Sequence, residues 1–258
     1  MGLQLREHIP LLEVMEKYPK TLFYKGNPDL LQRPKVSIVG TRRPSLYTQE
    51  FTRILANALA KRGVCVVSGG AMGVDALAHH GAGAENTIAV VANGLDIYYP
   101  ALNKELLQKI EKHGLLLSQF ENGFKATNWS FVVRNELVVA LGDILIVTEA
   151  DIDSGSMRSV EYALKMGKEI FVLPQRLNES LGTNRLLKHH QAKAIEDIET
   201  FAARFGEVAN IQTIKDEFFY FCQKFPSLDE SIEKFGDRVY EAELEGIITI
   251  QNGIVRLS

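Results

Sequence analysis

A chain of 258 residues, 46% hydrophobic and 24% charged, suffices for one sizeable domain plus a small appendage and is too apolar to be disordered or fibrous. Two cysteines, Cys65 and Cys222, exclude a disulfide framework, and no apolar run approaches the ~18 residues that span a membrane. The net charge of −3 disfavours nucleic acid only on average: residues 211–258 hold nine acidic against five basic residues, which leaves the remainder at +1, and it is the local field that a ligand meets.

In chain order, residues 1–34 are expected to form a leader packed on the main domain. It holds an amphipathic segment, IPLLEVMEKY, and then LFYKGNPDLL with a turn at Gly26-Asn27-Pro28-Asp29. Charges interrupt the apolar stretch of MGLQLREHIPLLEV, which does not fit a signal peptide, so the cytosol is the expected compartment.

A repeated alternation follows. Strand-like runs are KVSIVG (35–40), VCVVSG (64–69), TIAVVAN (87–93), GLLLSQF (114–120), DILIVTE (143–149) and EIFVLP (169–174). Helix-like segments lie between and after them at 46–62, 73–83, 101–112, 130–141, 156–167 and 180–190. The runs are continuous and β-branched, as in parallel strands covered on both faces. This pattern predicts an α/β fold: an extended Rossmann-like, doubly wound, mostly parallel sheet over 35–206. Right-handed crossovers then place all six strand C-termini on one edge, where ligands bind.

Beyond a linker at Gly206 to Asn210 come three short helical segments, IKDEFFYFCQKF, SLDESIEKFG and DRVYEAELEG, and a hairpin, ITIQNGIVRL. Asn252-Gly253 is a type I′ turn signal. The expectation is a small winged-helix-like C-terminal domain over 211–258. Its third helix carries Asp237, Glu241, Glu243 and Glu245 against Arg238 alone, so it is not expected to read a DNA groove.

The turns on the ligand edge carry the candidate chemistry. Gly40-Thr41-Arg42-Arg43 joins a strand end to two guanidiniums suited to phosphate; the plainer alternative is two surface arginines before a helix that Pro44 starts. Ser68-Gly69-Gly70, with Gly73, would let a ligand approach the main chain. Those glycines do not make a Gly-x-Gly-x-x-Gly fingerprint, and TIAVVAN ends in Asn93 where a ribose-binding acid is needed, which argues against a nicotinamide cofactor. Lys125, Asn128, Trp129, Phe131, Arg134 and Asn135 set aromatics beside bases, as a stacking site for unpaired nucleobases requires. Core packing is the alternative for Trp129 and Phe131.

Other motifs favour bland readings. Asp75 and His79 stand four residues apart without a third metal ligand in view, and Asp75 suits a helix N-terminus; His189-His190 is read likewise. In Ser154-Gly155-Ser156, capping explains one serine; a phosphate is a second use, disfavoured by Asp151 and Asp153. No Gly-x-Ser-x-Gly elbow or nucleophile-base spacing is present. Glu149 is a conceivable base without an evident partner. No catalytic residue, cofactor or metal is therefore assigned.

Taken together, VSIVGTRRPSLYT, VSGGAMGVDALAHHGA, TIAVVANGLDIYYP, GLLLSQF, FVVRNELVVAL, EADIDSGSMRSVEYALKMGKEIFVLP and GTNRLLKHHQA resemble, in order, the DprA/Smf family of DNA-processing proteins of bacterial natural transformation. Where many members read Pro-Gly after the sixth strand, this chain has Pro174-Gln175. The resemblance implies an extended Rossmann domain that binds and protects single-stranded DNA, helps load the RecA recombinase and works as a homodimer. It implies a DNA pocket built from Gly40 to Arg43, from Ser68 to Gly70, and from a loop running from Asn128 to Arg134. The rival class is a nucleotide-binding enzyme of the phosphoribohydrolase type, but its Pro-Gly-Gly-x-Gly-Thr-x-x-Glu motif is absent. A pure interaction scaffold is the third reading.

Overall fold

A computed structural model describes residues 2–6, 8–208, 217–244, 246–251 and 253–257. It divides into two compact units, Met1–Val208 and Ala209–Ser258.

The first unit begins with β1 (Leu3–Gln4) and β2 (Phe23–Gly26), then alternates. β3 (Lys35–Val39) leads to α1 (Leu46–Ala60), β4 (Cys65–Gly69) to α2 (Val74–Ala82), and β5 (Thr87–Val91) to α3 (Lys104–His113). β6 (Leu115–Ser118) leads to α4 (Asn128–Leu141), β7 (Ile144–Val147) to α5 (Gly155–Lys165), and β8 (Ile170–Val172) to α6 (Leu181–Lys188). β9 (Lys193–Ala194) and α7 (Ile198–Ala203) complete it. The strands form one sheet in the order β1-β2-β6-β5-β4-β3-β7-β8-β9. From β6 to β9 every pairing is parallel.

The six expected strands are all present, because each buries both faces. In β4, Cys65 and Val67 pack toward α4 and α5, while Val66 packs toward α1 and α2. This period-two division holds two hydrophobic layers apart by one sheet. A third apolar cluster, with Leu106, Leu107 and Ile110, seats α3 against β5 and β6.

The leader does more than pack on the domain. β2 adds antiparallel to β6, with Phe23 opposite Ser118, and β1 adds antiparallel to β2. A 3-10 turn at Pro10–Val14 sinks Leu12 fully into the core. The leader thus covers a sheet edge that would otherwise offer unpaired backbone groups.

One helix starts where it was expected and one does not. α1 begins after Ser45, whose hydroxyl accepts the Thr48 N–H at 3.2 Å, so Pro44 lies outside the helix. α4 begins at Asn128, where a loop was expected. The reason is a reciprocal capping box: Thr127 accepts the Ser130 N–H at 3.2 Å, and the Ser130 hydroxyl accepts the Thr127 N–H at 2.8 Å. Asn128, Trp129 and Phe131 therefore stand on the first turns of a helix.

The second unit holds α8 (Glu217–Cys222), α9 (Leu228–Phe235), α10 (Arg238–Leu244), and the antiparallel pair β10 (Ile248–Gln251) and β11 (Ile254–Leu257). Phe218, Cys222, Val239, Ile248 and Val255 form its own core. Linker residues 209–210, the start of the first predicted helix including Lys215 and Asp216, Glu245, and Asn252 of the predicted turn lie outside the described residues. No helix among the described residues is long and apolar enough to cross a membrane.

Candidate nucleic-acid interface

The sheet winds outward from β3 through β4, β5 and β6 on one side, and from β7 through β8 on the other. Strand order reverses between β3 and β7, and at such a switch point the loops diverge and leave a crevice beyond the strand ends. A cleft of about 470 Å³ opens there. Gly40 and Arg42 reach it from β3, Gly69 from β4, and Phe131, Arg134 and Asn135 from α4. Thr41 lines it too. Three segments far apart in sequence thus share one concavity.

Phe131 is the hub of that concavity. The Arg42 guanidinium lies 5.4 Å from its ring centroid and that of Arg134 5.8 Å. Tyr99, half exposed, is tilted against the ring at 6.1 Å. A recess of about 40 Å³ adjoins it, bordered by Arg42, Gly70, Tyr99, Phe131 and Arg134. An aromatic face flanked by cations can stack a base while the charges attract its phosphates.

Arg134 is held rather than free. It is 5% exposed, and its Nη1 donates to the Val90 carbonyl at 2.9 Å while Nε donates to Asn135 Oδ1 at 3.1 Å. Asp75 is buried beside it, on the same side of Gly69. A Cβ on Gly69 would lie 2.1 Å from Arg134 Nη1 and 2.4 Å from Asp75 Oδ2. Burial raises the Asp75 carboxyl above its ordinary range, opposed chiefly by Arg134 and then by the Ala71 N–H, which donates at 3.3 Å. Burial likewise lowers Arg134, opposed by Asp75. Both line the cleft, and their mutual attraction offsets part of the burial of each.

The close approach expected at Gly69 is thus made by the protein's own Arg134 and Asp75. Gly40 and Gly73 serve packing as well: a Cβ would meet Val74 Cγ2 at 2.6 Å at the first, and the Thr41 carbonyl at 2.4 Å at the second, where φ is +77°. Ser68 is buried, its hydroxyl donating to the Ile38 carbonyl at 2.6 Å. Arg43, Lys125 and Asn128 are exposed and lie outside the cleft lining. Trp129 is 62% exposed, with its ring edge-on to Phe120.

The helix N-termini beside the first two turns are already occupied. Glu149 Oε2 accepts from the Ser45 N–H at 3.0 Å and from its hydroxyl at 2.9 Å, at the start of α1. At the start of α2, the Val74 N–H donates to the Thr41 carbonyl at 3.1 Å and Ala71 N–H to Asp75. His79 is a core residue: neutral, with Nε2–H donating to the Gly69 carbonyl at 2.8 Å and Nδ1 facing Thr87 Oγ1 at 2.6 Å.

Residues outside the expected DNA site also line the cleft: Asp75, read as a cap, Ser156, for whose turn a phosphate was the disfavoured second use, and Arg158 and Ser159 on α5. Tyr99, on the adjoining recess, was missed too. Only the Ser154-Gly155-Ser156 turn had given a signal.

The family model described as DNA recombination-mediator protein A matches residues 4–206. Protein Smf of Synechocystis is 35% identical over 198 residues, covering 74% of this chain and 50% of that protein. The DNA processing protein DprA of Streptococcus pneumoniae is 36% identical over 191 residues, covering 72% of this chain and 67% of that protein. The chain spans about half the length of several of these relatives. Among solved structures, DNA processing protein A of Helicobacter pylori, described for its single-stranded DNA binding mode, superposes with a TM-score of 0.77 at 43% identity. The match covers 79% of this chain and 95% of that one. The Streptococcus pneumoniae DprA structure gives 0.73 at 32% identity, covering 80% and 75%.

Proposed function

The chain belongs to the DNA recombination-mediator protein A family, also called DprA/Smf, and on that premise we propose that it binds single-stranded DNA during natural transformation. In this reading it protects incoming strands in the cytoplasm, helps load the RecA recombinase and works as a homodimer. The observation that carries the proposal is the position of Phe131 beside the guanidiniums of Arg42 and Arg134, in the cleft at the strand-order reversal. An unpaired strand can lay a base on that ring; a duplex keeps its base faces stacked and cannot. Binding, not bond cleavage, is what these groups are suited to. Glu149, the one carboxylate considered as a base, is engaged with Ser45.

The test is fluorescence anisotropy of a short oligo-dT and of its duplex across salt. The wild type should prefer the single strand, with affinity falling as counterions are released. Arg42→Ala should weaken binding roughly tenfold and flatten the log-log salt slope by about 0.7, the share of one phosphate on a single strand. Arg43→Ala should have a smaller effect, since Arg43 lies off the cleft. Equal affinity for duplex and single strand, or an unchanged Arg42→Ala protein, would overturn the assignment.

A further inference from the structure

The first turn of α5 forms the wall of the cleft that the binding site just proposed does not use. Ser154, Gly155, Ser156 and Ser159 all line it. Ser154 occupies the N-cap position, yet its hydroxyl caps nothing; its oxygen is buried without a hydrogen-bond partner. Ser156 is 9% exposed and Ser159 1% exposed, and neither hydroxyl is paired with any described residue. Buried hydroxyls are ordinarily satisfied, so the unpaired Ser156 and Ser159 on the cleft wall point to a partner outside the chain.

The backbone agrees. The first N–H groups of a helix have no acceptor within it. At α5 the Met157 N–H turns back to the Ser154 carbonyl at 3.0 Å, while those of Gly155 and Ser156 precede the first intrahelical bond. A Cβ on Gly155 would meet nothing within 4 Å, so there is room above the turn. The contrast with α1 and α2, whose starts are filled by Glu149 and by Thr41 and Asp75, is direct. Asp151 and Asp153 are exposed and do not line the cleft. Arg158 does line it, paired with Glu161 at 3.0 Å.

We propose that the N-terminus of α5 is a phosphate subsite, in which the Gly155 and Ser156 N–H groups and the Ser156 and Ser159 hydroxyls hold one tetrahedral phosphate oxyanion of a bound strand. Hydrogen bonds to a charged acceptor suit such a set, and the helix dipole adds to them. The strand would then run from the Phe131 ring on one wall to this turn on the other. The assignment rests on the single-strand reading above and extends it to a second anchor point.

The test is oligo-dT anisotropy with three proteins beside the wild type: the double variant Ser156→Ala/Ser159→Ala, Gly155→Val, and Arg42→Ala. The double variant should lose about fivefold to tenfold in affinity, in keeping with lost hydrogen bonds to a charged group. Gly155→Val, whose added atoms enter space open in the protein itself, should lose as much by excluding the phosphate. It decides the matter if the double variant fails to fold. If Arg42→Ala weakens binding while both α5 changes leave it at the wild-type value, the subsite is wrong and the single-strand reading stands. If none of the three moves the affinity, both fall.

Running each titration with 5′-hydroxyl and 5′-phosphorylated oligo-dT separates the two sources of the oxyanion. Equal losses on both assign the subsite to an internal phosphodiester. A loss confined to the phosphorylated strand assigns it to the terminal monoester.

Discussion

Gly69 has no side chain because Arg134 and Asp75 occupy the place where one would stand, and the histidine whose ring it hydrogen-bonds is part of the same packing. His79 donates to the Gly69 carbonyl from a fully buried position. Burial, more than any neighbouring charge, pulls its pKa down to about 4 from 6.5; the Gly69 bond opposes this, while His80 and Arg134 add to it. The ring is therefore neutral in the fold down to about pH 4, while in the unfolded chain it protonates near 6.5. Between those values the unfolded state binds the extra proton, so stability falls as pH falls from about 6.5 to about 4, by on the order of 3 kcal/mol in all. Melting curves of wild type and His79→Gln across that window test this: the wild type should lose stability more steeply, and parallel curves would refute it. At this scale the sequence was partly readable. Arg134 was conspicuous as a charge within FVVRNELVVAL, but Asp75 was read as a helix cap, because its partner stands on another helix and only the fold makes them neighbours. Gln175 is a similar case: it bridges Thr48 and the Thr148 carbonyl, which its departure from Pro-Gly could not reveal.

At the scale of elements, the strands were legible because burial on both faces leaves an unmistakable run of apolar residues. The leader strands were not, since β2 is a four-residue strand of partly exposed residues, FYKG, and pairs antiparallel at an edge. The start of α4 was misread for a different reason. A Thr-x-x-Ser box is a weaker signal than Ser-x-x-Glu, and Lys125 to Trp129 read as a polar loop. That box matters to the site, because it fixes the turn from which Phe131 projects. Thr127→Ala should cost about 1 kcal/mol of stability and weaken oligo-dT binding with it, as Phe131 loses its fixed place beside the guanidiniums. Trp129, the only tryptophan and on the same turn, reports the unfolding directly in urea. Ser227→Ala removes the matching box of α9, made with Glu230, and serves as the control. It should weaken its own unit by a similar amount and leave binding untouched. A binding loss shared by both variants would show that the Thr127 effect is not local.

For the whole molecule, charge and core divide in the same place. The sheet, its apolar layers and the cleft at the β3–β7 reversal all belong to Met1–Val208. The second unit closes its own small core around Phe218, Cys222, Val239, Ile248 and Val255. About fifty residues is near the lower limit for independent folding, whereas the first unit is well above it. The family match, residues 4–206, ends within the first unit as well. The acidic excess of residues 211–258 repels phosphate wherever it comes close. It follows that a fragment ending at Val208 should fold cooperatively and bind oligo-dT at least as well as the full chain. At low salt, where screening lengthens from about 8 Å at physiological ionic strength toward 30 Å, the fragment should bind more tightly, and the difference should fade as salt rises. Calorimetry of the fragment and its anisotropy titrations at two ionic strengths provide the check. A fragment that folds but loses affinity at every salt concentration would place part of the strand's contacts on the second unit, against the acidic character of its third helix.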